Sequence, residues 1–590
     1  MKIKTINYKL ILFFALFLSS LLGADEIKLP THTIHISGQK AFGKTELYDA
    51  LSVDTKSFFQ FWKEDTPRIK DKLIPTLNLT LKSFYDSEGF YDANFTIRET
   101  NTTVDIKINE NTPVLVNDIN ISSDYSIAGH IVFRKGERFR AKEFIRIKNE
   151  IISALLEDGY CSYDLNTKAY VDLDTHQADL KYVLKKGGIC VFGQTNITGL
   201  KTIDEKIILS RVAAKEGERF DTRRIKQTYS NLYRLDVFDS AIVNFDRKFY
   251  NKVPVDIVLK EVRKPYHLEA GAGYDTYVGA RVHGEVTKRN FMGDAQKMAL
   301  QASWSQKEQL LQLDFFKPAW FDLFGYYLDY GATLGYSNLE YVGFTEKKAY
   351  GRSYLEHEYD RLRIRAGLAL EDIEIELLDN LQNSQVLQQA INDGEFLLFY
   401  PYLDIVYDAR DSKLNPKYGY YLSGYFEYGV PYNDEASAYT MALLEGRYIH
   451  TFGELTLAGI AKMGAVDQAS NEIPESKLFF GGGSFGNRAY GFREIGVILS
   501  PEEDSIQGAS SMLNLSFEAD YPIWGDFYGA VFTDNTMLTA KSYDFSGDFI
   551  TSAGVGVRYM TPIGPLKFDV GFNVNDLSQY GISFQIGQSF

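Results

Sequence analysis

The chain ends Gly581-Ile582-Ser583-Phe584-Gln585-Ile586-Gly587-Gln588-Ser589-Phe590. Ile582, Phe584 and Ile586 fall on one face of an extended strand and Ser583 and Gln585 on the other, because strand side chains alternate with period two. Working back from this stretch, residues 264–590 divide into about sixteen segments of roughly ten residues with the same alternation, the pattern of a transmembrane barrel. One face meets lipid and the other a polar lumen. Short and long connections alternate between the segments. The short ones include Phe291 to Ala295, Asp360 to Arg361 and Thr451 to Gly453, and the long ones Leu377 to Asn392 and Val466 to Ala509. An even strand number places the barrel's start and Phe590 on the same, periplasmic side.

Composition agrees with this class. There are 40 Tyr, 41 Phe and 47 Gly against 15 Pro, and beyond the N-terminus no apolar run is long enough for a spanning helix. A formal charge of −15 argues against a nucleic-acid partner, which requires a basic patch. Lys2, Lys4 and Lys9 precede the apolar stretch Leu10 to Leu22, so residues 1–24 are expected to be a secretory signal peptide cut near Ala24. Export makes oxidation of Cys161 and Cys190 feasible. Spacing leaves open one disulfide or two small buried hydrophobes.

Ahead of the barrel one pattern recurs about every 75 residues. Its closing strands are Val104 to Ile108, Ala178 to Val183 and Val255 to Leu259, each preceded by a hairpin partner and an amphipathic helix. The helical faces are expected at Ile69, Leu73, Leu77, Leu81; at Ile147, Ile151, Leu155; and at Ile225, Tyr229, Tyr233. Opening strands are expected at Thr33 to Ser37, Val114 to Ile121 and Cys190 to Thr198.

These repeats resemble POTRA domains, and the whole mature chain resembles the Omp85 superfamily of outer-membrane assembly and translocation proteins. The matching stretches are Tyr407 to Pro416 with Gly419-Tyr420, Arg558 to Leu566, and the closing strand. The resemblance implies α+β POTRA repeats followed by a 16-stranded antiparallel β-barrel. The expected domains are POTRA 1 at 29–110, POTRA 2 at 111–187, POTRA 3 at 188–263 and the barrel at 264–590. It further implies an outer-membrane location with the POTRA domains in the periplasm.

Gly482-Gly483 to Arg488-Ala489-Tyr490-Gly491-Phe492 resembles the family's loop-six motif, whose tip folds into the lumen. Ala489 stands where the family has glycine, so a positive φ there would strain it. Alternation turns Glu518 inward, and the resemblance assigns Phe532 and Asp534 to the inner wall. Arg488 is therefore expected to be clamped by Glu518 and Asp534, with Phe532 stacking on its guanidinium. The seam between the first strand, rich in glycine at Gly271 and Gly273, and the last, with Gly581, Gly587 and Phe590, is the expected lateral gate.

Two motifs are set aside. Gly38 to Thr45 fits the phosphate-loop pattern, but the unit after it is too small for a nucleotide-binding sheet. Gly482 to Gly486 fits an esterase elbow, yet no histidine follows His450. No enzyme activity, cofactor, metal or nucleotide is expected. The resemblance points to a TamA-like member that inserts or exports clients such as autotransporters. Its partners would be unfolded outer-membrane or secreted proteins, outer-membrane lipid and a TamB-like periplasm-spanning protein. Within the family the alternatives are the central assembly subunit, expected to carry five POTRA domains where only three repeats fit before residue 264, and a two-partner-secretion transporter, expected to carry two repeats and a plug helix. A passive channel or receptor is the alternative outside it.

Overall fold

The computed structural model describes residues 30–54, 66–246, 251–275, 279–378, 391, 393–432, 437–470, 472–484, 486–500, 505–561 and 564–586. The expected signal segment, Gly587 and Phe590 lie outside them. The first module runs β1 (Thr31–Ser37), α1 (Lys44–Ala50), β2 (Arg68–Lys70), α2 (Leu77–Ser87), β3 (Asn94–Glu99) and β4 (Thr103–Asn109), in sheet order β2-β1-β4-β3. Helix α2 buries Leu77, Leu81 and Tyr85 on Ile34, Ile36, Val104, Ile106 and Ile108. The expected helical face reached back to Ile69, but Ile69 lies in β2 opposite His32. Between them Asp71–Thr76 forms a tighter turn containing Pro75, which cannot donate the N–H that a continuous α-helix needs.

The second module has β5 (Leu115–Ser123), α3 (Ala141–Glu157), β6 (Asp164–Asp172) and β7 (Gln177–Lys185), in order β5-β7-β6. Helix α3 lays Phe144, Ile147, Ile151 and Leu155 into its core. The third has β8 (Val191–Thr198), α4 (Glu205–Leu209), α5 (Thr222–Arg234), β9 (Phe238–Phe245) and β10 (Lys252–Glu261), in order β8-β10-β9. Tyr229 and Tyr233 are exposed rather than core-facing, and stack on each other at 5.6 Å. The buried stripe of α5 is instead Ile225, Thr228 and Leu232. Thr228 belongs to it because its hydroxyl accepts from the Ala213 N–H at 3.0 Å, a polar contact that an apolar-period reading misses.

The glycines that follow α2 and α3 are left-handed, Gly89 at φ 87° and Gly159 at φ 79°. The carbonyls of these glycines accept from Val114 N (2.8 Å) and Cys190 N (2.9 Å), starting the next module each time. Cys161 and Cys190 form a disulfide across the second of these junctions, which resolves the alternative left open by spacing.

The barrel is one antiparallel sheet of sixteen strands in sequence order. Its first eight are β11 (Tyr266–Asp275), β12 (Gly279–Arg289), β13 (Lys297–Trp304), β14 (Glu308–Leu323), β15 (Tyr326–Glu340), β16 (Phe344–Tyr359), β17 (Leu362–Leu377) and β18 (Gly394–Asp408). The next three are β19 (Tyr418–Gly429), β20 (Ala438–Phe452) and β21 (Leu455–Ser470). A long loop carries the small hairpin of β22 (Val497–Ser500) and β23 (Ser505–Gln507), and the wall resumes with β24 (Ser511–Trp524) and β25 (Phe527–Thr539). It ends with β26 (Ile550–Thr561), β27 (Gly564–Asn573) and β28 (Tyr580–Ile586).

Burial is inverted relative to a water-soluble fold. Phe517 is 55% exposed while its neighbour Glu518 is 3% exposed, and Val531 at 58% stands next to Phe532 at 5%. Apolar residues facing out around buried Glu, Asp, Arg and Lys are stable only where lipid replaces water outside. Among the described residues no helix is long and apolar enough to cross a membrane.

Candidate functional site: the lumen clamp of loop six

The loop between β21 and β24 enters the lumen because its glycines let the backbone fold back on itself. Gly482 (φ 98°) and Gly483 (φ 85°) turn the chain, and a Cβ on Gly482 would lie 2.2 Å from the Gly491 carbonyl oxygen. Gly483 N donates to Tyr490 O at 3.0 Å, closing the tip on itself. Ala489 has no positive φ and is fully buried. The anticipated strain at this position is absent, because the sharp turns are made by the glycines before it.

Arg488 is held on every side. Its Nε and Nη2 donate to Asp534 Oδ2 (2.8 Å) and Oδ1 (2.9 Å), a bidentate pair. Its backbone N donates to the same carboxylate at 3.0 Å, and Nη1 donates to Glu518 Oε2 at 2.5 Å. The guanidinium carbon lies 3.4 Å from the centre of the Phe532 ring. The structure thus brings Arg488, Glu518, Phe532 and Asp534 together.

Four further groups complete the network. Arg558 on β26 donates to Glu518 Oε1 (2.8 Å) and Asp569 Oδ1 (2.5 Å), while Asp569 on β27 also reaches Arg488 Nη1 at 3.5 Å. Lys567 lies 3.9 Å from Glu518, and Asp520 4.0 Å from Arg558 Nε. Three cations therefore share four carboxylates, and each of these seven buried groups has an opposite charge within 4.0 Å. Sequence reasoning missed these four. A signal existed in the arginine, lysine and aspartates at lumen-phase positions of otherwise apolar strands.

The tip also rests on the last hairpin. Gly571 of β27 and Gly581 of β28 are register partners, and both lack the side chain that would block the loop. A Cβ on Gly581 would lie 2.4 Å from Arg488 O, and one on Gly571 2.9 Å from it. Gln579 Nε2 donates to Ala489 O at 3.0 Å, and Asn573 Nδ2 to the Tyr490 hydroxyl at 2.5 Å. Phe492 at the end of the motif is exposed and lies 4.8 Å from the Arg493 guanidinium. Gly491 N donates to Glu494 Oε2 at 2.6 Å.

At the seam, Cα atoms of β11 and β28 approach within 8 Å. Among the described residues the sheet order nonetheless begins at one strand and ends at the other, with no ladder joining them. Gly271 pairs with His283 and Gly273 with Arg281 on β12. The His283 imidazole covers Gly271, where an added Cβ would be 2.1 Å from it.

The phosphate-loop look-alike is explained locally. The Ala41 N–H is taken by the Glu110 carboxylate (3.0 and 3.2 Å) and the Gly43 N–H by Glu46 (2.8 Å). Two acids thus occupy the donors that a phosphate would need. Among the described residues there is no cluster of His, Cys, Asp and Glu fit to hold a metal.

The Omp85 superfamily domain matches residues 290–590. The outer membrane protein assembly factor BamA of Nitratidesulfovibrio vulgaris is 22% identical over 95% of this chain and 74% of its own length. BamA of Neisseria meningitidis is 20% identical over 94% and 78%. The crystal structure of Haemophilus ducreyi BamA lacking POTRA domains 1–3 has a TM-score of 0.52 at 16% identity, covering 80% of this chain and 99% of that one. With its inverted sixteen-stranded wall, its POTRA-like modules and its inward loop, this outer-membrane chain belongs to the Omp85 superfamily.

Proposed function

We propose that the protein inserts client proteins into the outer membrane, or exports them across it, by offering the seam strands β11 and β28 as a template. One observation carries this reading: the two edge strands meet without a ladder among the described residues, while the clamped loop tip leans on β28 through Gly581. An incoming strand exposed to lipid leaves N–H and C=O groups unpaired at several kcal/mol each. A free barrel edge can pair with them. In this reading the lateral gate is the seam of β11, with Gly271 and Gly273, and β28, with Gly581; Gly587 and Phe590, assigned to it from the sequence, lie outside the described residues. The periplasmic modules receive the unfolded clients along their sheet edges.

The finer reading is a TamA-like factor acting on clients such as autotransporters, with a TamB-like periplasm-spanning partner at the first module. The three small modules ahead of the barrel support it. Depleting the protein and comparing the outer-membrane proteome tests the coarser reading: specific loss of barrel or autotransporter proteins is expected, and an unchanged proteome with altered permeability alone would replace it with a channel. Co-purification with a periplasm-spanning partner tests the finer one. A disulfide engineered across the seam should abolish insertion, and full activity in the oxidised variant would remove the gate.

A further inference from the structure

Loop six carries a second buried cation, well before its tip. Lys477 ends a single tight turn, Glu475–Lys477, soon after β21. Its ammonium lies 3.0 Å from Glu371 Oε2 on β17 and 3.0 Å from Glu427 Oε1 on β19. It also sits 4.1 Å from the centre of the Tyr400 ring on β18 and 6.0 Å from that of Tyr439 on β20. The glutamate side chains are 1% and 2% exposed.

The wall holds these carboxylates ready for a cation. Tyr400 donates to Glu371 Oε1 at 2.8 Å, and Tyr439 and Tyr425 donate to the two oxygens of Glu427 at 2.9 and 2.6 Å. Arg352 adds 2.7 Å to Glu371 Oε1. Arg352 and Lys348 stand against Glu371, Glu427 and Glu346, the last paired with Lys348 at 3.1 Å, so the pocket would carry a net negative charge without Lys477. A buried pair that loses one partner leaves an uncompensated ion, the most costly arrangement a low-dielectric interior can hold.

The chemical plan matches that of the Arg488 cage: one cation from the loop, two carboxylates from the wall and an aromatic face. The positions differ. Arg488 engages the twelfth, thirteenth and fifteenth strands, and Lys477 the seventh to tenth. Around Lys477, Ile473 and Phe479 of the loop are buried in one apolar cluster with Ile373, Tyr400, Tyr439 and Val466. The backbone closes the same region, since Phe479 and Ala509 exchange N–H donors at 2.8 Å each.

We propose that Lys477 is a second positioning residue of loop six, an ionic pin that fixes the loop's base to β17–β20. With the base fixed, the tip is registered against the last hairpin and the outer half of the lumen stays sealed. Its consequence for insertion rests on the function proposed above; its consequence for the seal does not.

The test uses the full-length protein in planar bilayers, with heat-modifiable migration as the control for a folded barrel. Lys477→Met should give a severalfold rise in conductance or open probability, and Lys477→Arg, which keeps the charge, should restore the closed behaviour. Lys477→Met combined with Glu427→Gln should leak less than Lys477→Met alone, because the stranded charge is removed. A folded Lys477→Met barrel with wild-type conductance overturns the proposal, as does Lys477→Arg leaking as much as Lys477→Met. If Lys477→Met does not fold, Glu427→Gln takes its place, and unchanged conductance in that variant overturns it equally. Client insertion into liposomes is measured in parallel. Failure of the wild-type protein to insert clients would defeat the proposed function and leave the conductance comparison intact.

Discussion

Asp534 accepts three donors from Arg488: the backbone N at 3.0 Å, Nε at 2.8 Å and Nη2 at 2.9 Å. One carboxylate therefore fixes both the tip's main chain and its charge. Arg488→Ala should free the tip, because removing one partner of such a buried pair costs about 3–5 kcal/mol. Insertion activity should fall strongly with little change in barrel yield. Arg488→Lys should recover only part of it, since an ammonium cannot reproduce the two-armed pairing. Client insertion into liposomes, normalised to folded barrel, measures both.

Gly581→Ala should displace the tip without touching any charge. Its Cβ would sit 2.4 Å from Arg488 O, a backbone atom with nowhere to move, and overpacking of this kind costs about 1–3 kcal/mol. Gly284→Ala on β12 is the matched control, having only one neighbour, at 3.8 Å. Protease sensitivity of loop six should rise in the first variant and stay at the wild-type level in the second.

Replacing both Cys161 and Cys190 by Ser should loosen the junction between the second and third modules. The bridge spans 29 residues, for which the loop-entropy relation gives about 3.6 kcal/mol of stabilisation. Limited proteolysis of the full chain should then cleave near residues 186–189 in the double variant, and in the reduced wild type, before the oxidised wild type is touched.

Glu261 ties the third module to the first barrel turn. It accepts from Lys201 N (2.7 Å), Thr202 N (3.0 Å) and the Thr202 hydroxyl (2.6 Å), and Thr202 O in turn accepts from Asp294 N at 3.2 Å. Partial burial pushes the carboxyl pKa up, but these hydrogen bonds outweigh it and hold the value below the ordinary range. A depressed folded-state value contributes stability above the unfolded pKa of about 4.3 that is lost as pH falls through the folded one. Hydrogen exchange at residues 201–204, corrected for intrinsic rate, should therefore show protection that is constant at neutral pH and declines only below about 4.3. Glu261→Gln should be less protected at neutral pH and lose this dependence.

The lumen shows how far strand alternation carries. Period two placed Glu518 inside from Leu513, Leu515 and Phe517 alone, and the same rule applied to β26 and β27 would have turned Arg558, Lys567 and Asp569 inward. It could not say which of them meet, since that depends on the registers Glu518↔Phe532, Phe532↔Gly554 and Arg558↔Lys567 across three strand pairs. Alternation was equally silent on Lys477, which belongs to no strand. The helices were less legible where polar contacts compete with apolar period, as at Thr228, or where proline and sheet pairing shorten a helix, as at Pro75 and Ile69.

What the amino-acid order determined by itself was local. It set alternation, turn glycines, helix stops and the presence of a charged tip on a glycine-rich loop, because each depends on residues within a few positions of one another. Tertiary structure alone decided the Cys161–Cys190 bond, the resting of Arg488 and Ala489 on Gly571 and Gly581, and the seating of Lys477 between Glu371 and Glu427. These contacts join residues tens of positions apart. Their partners are set by strand register and by the path of a loop through the lumen, quantities no short stretch of sequence encodes.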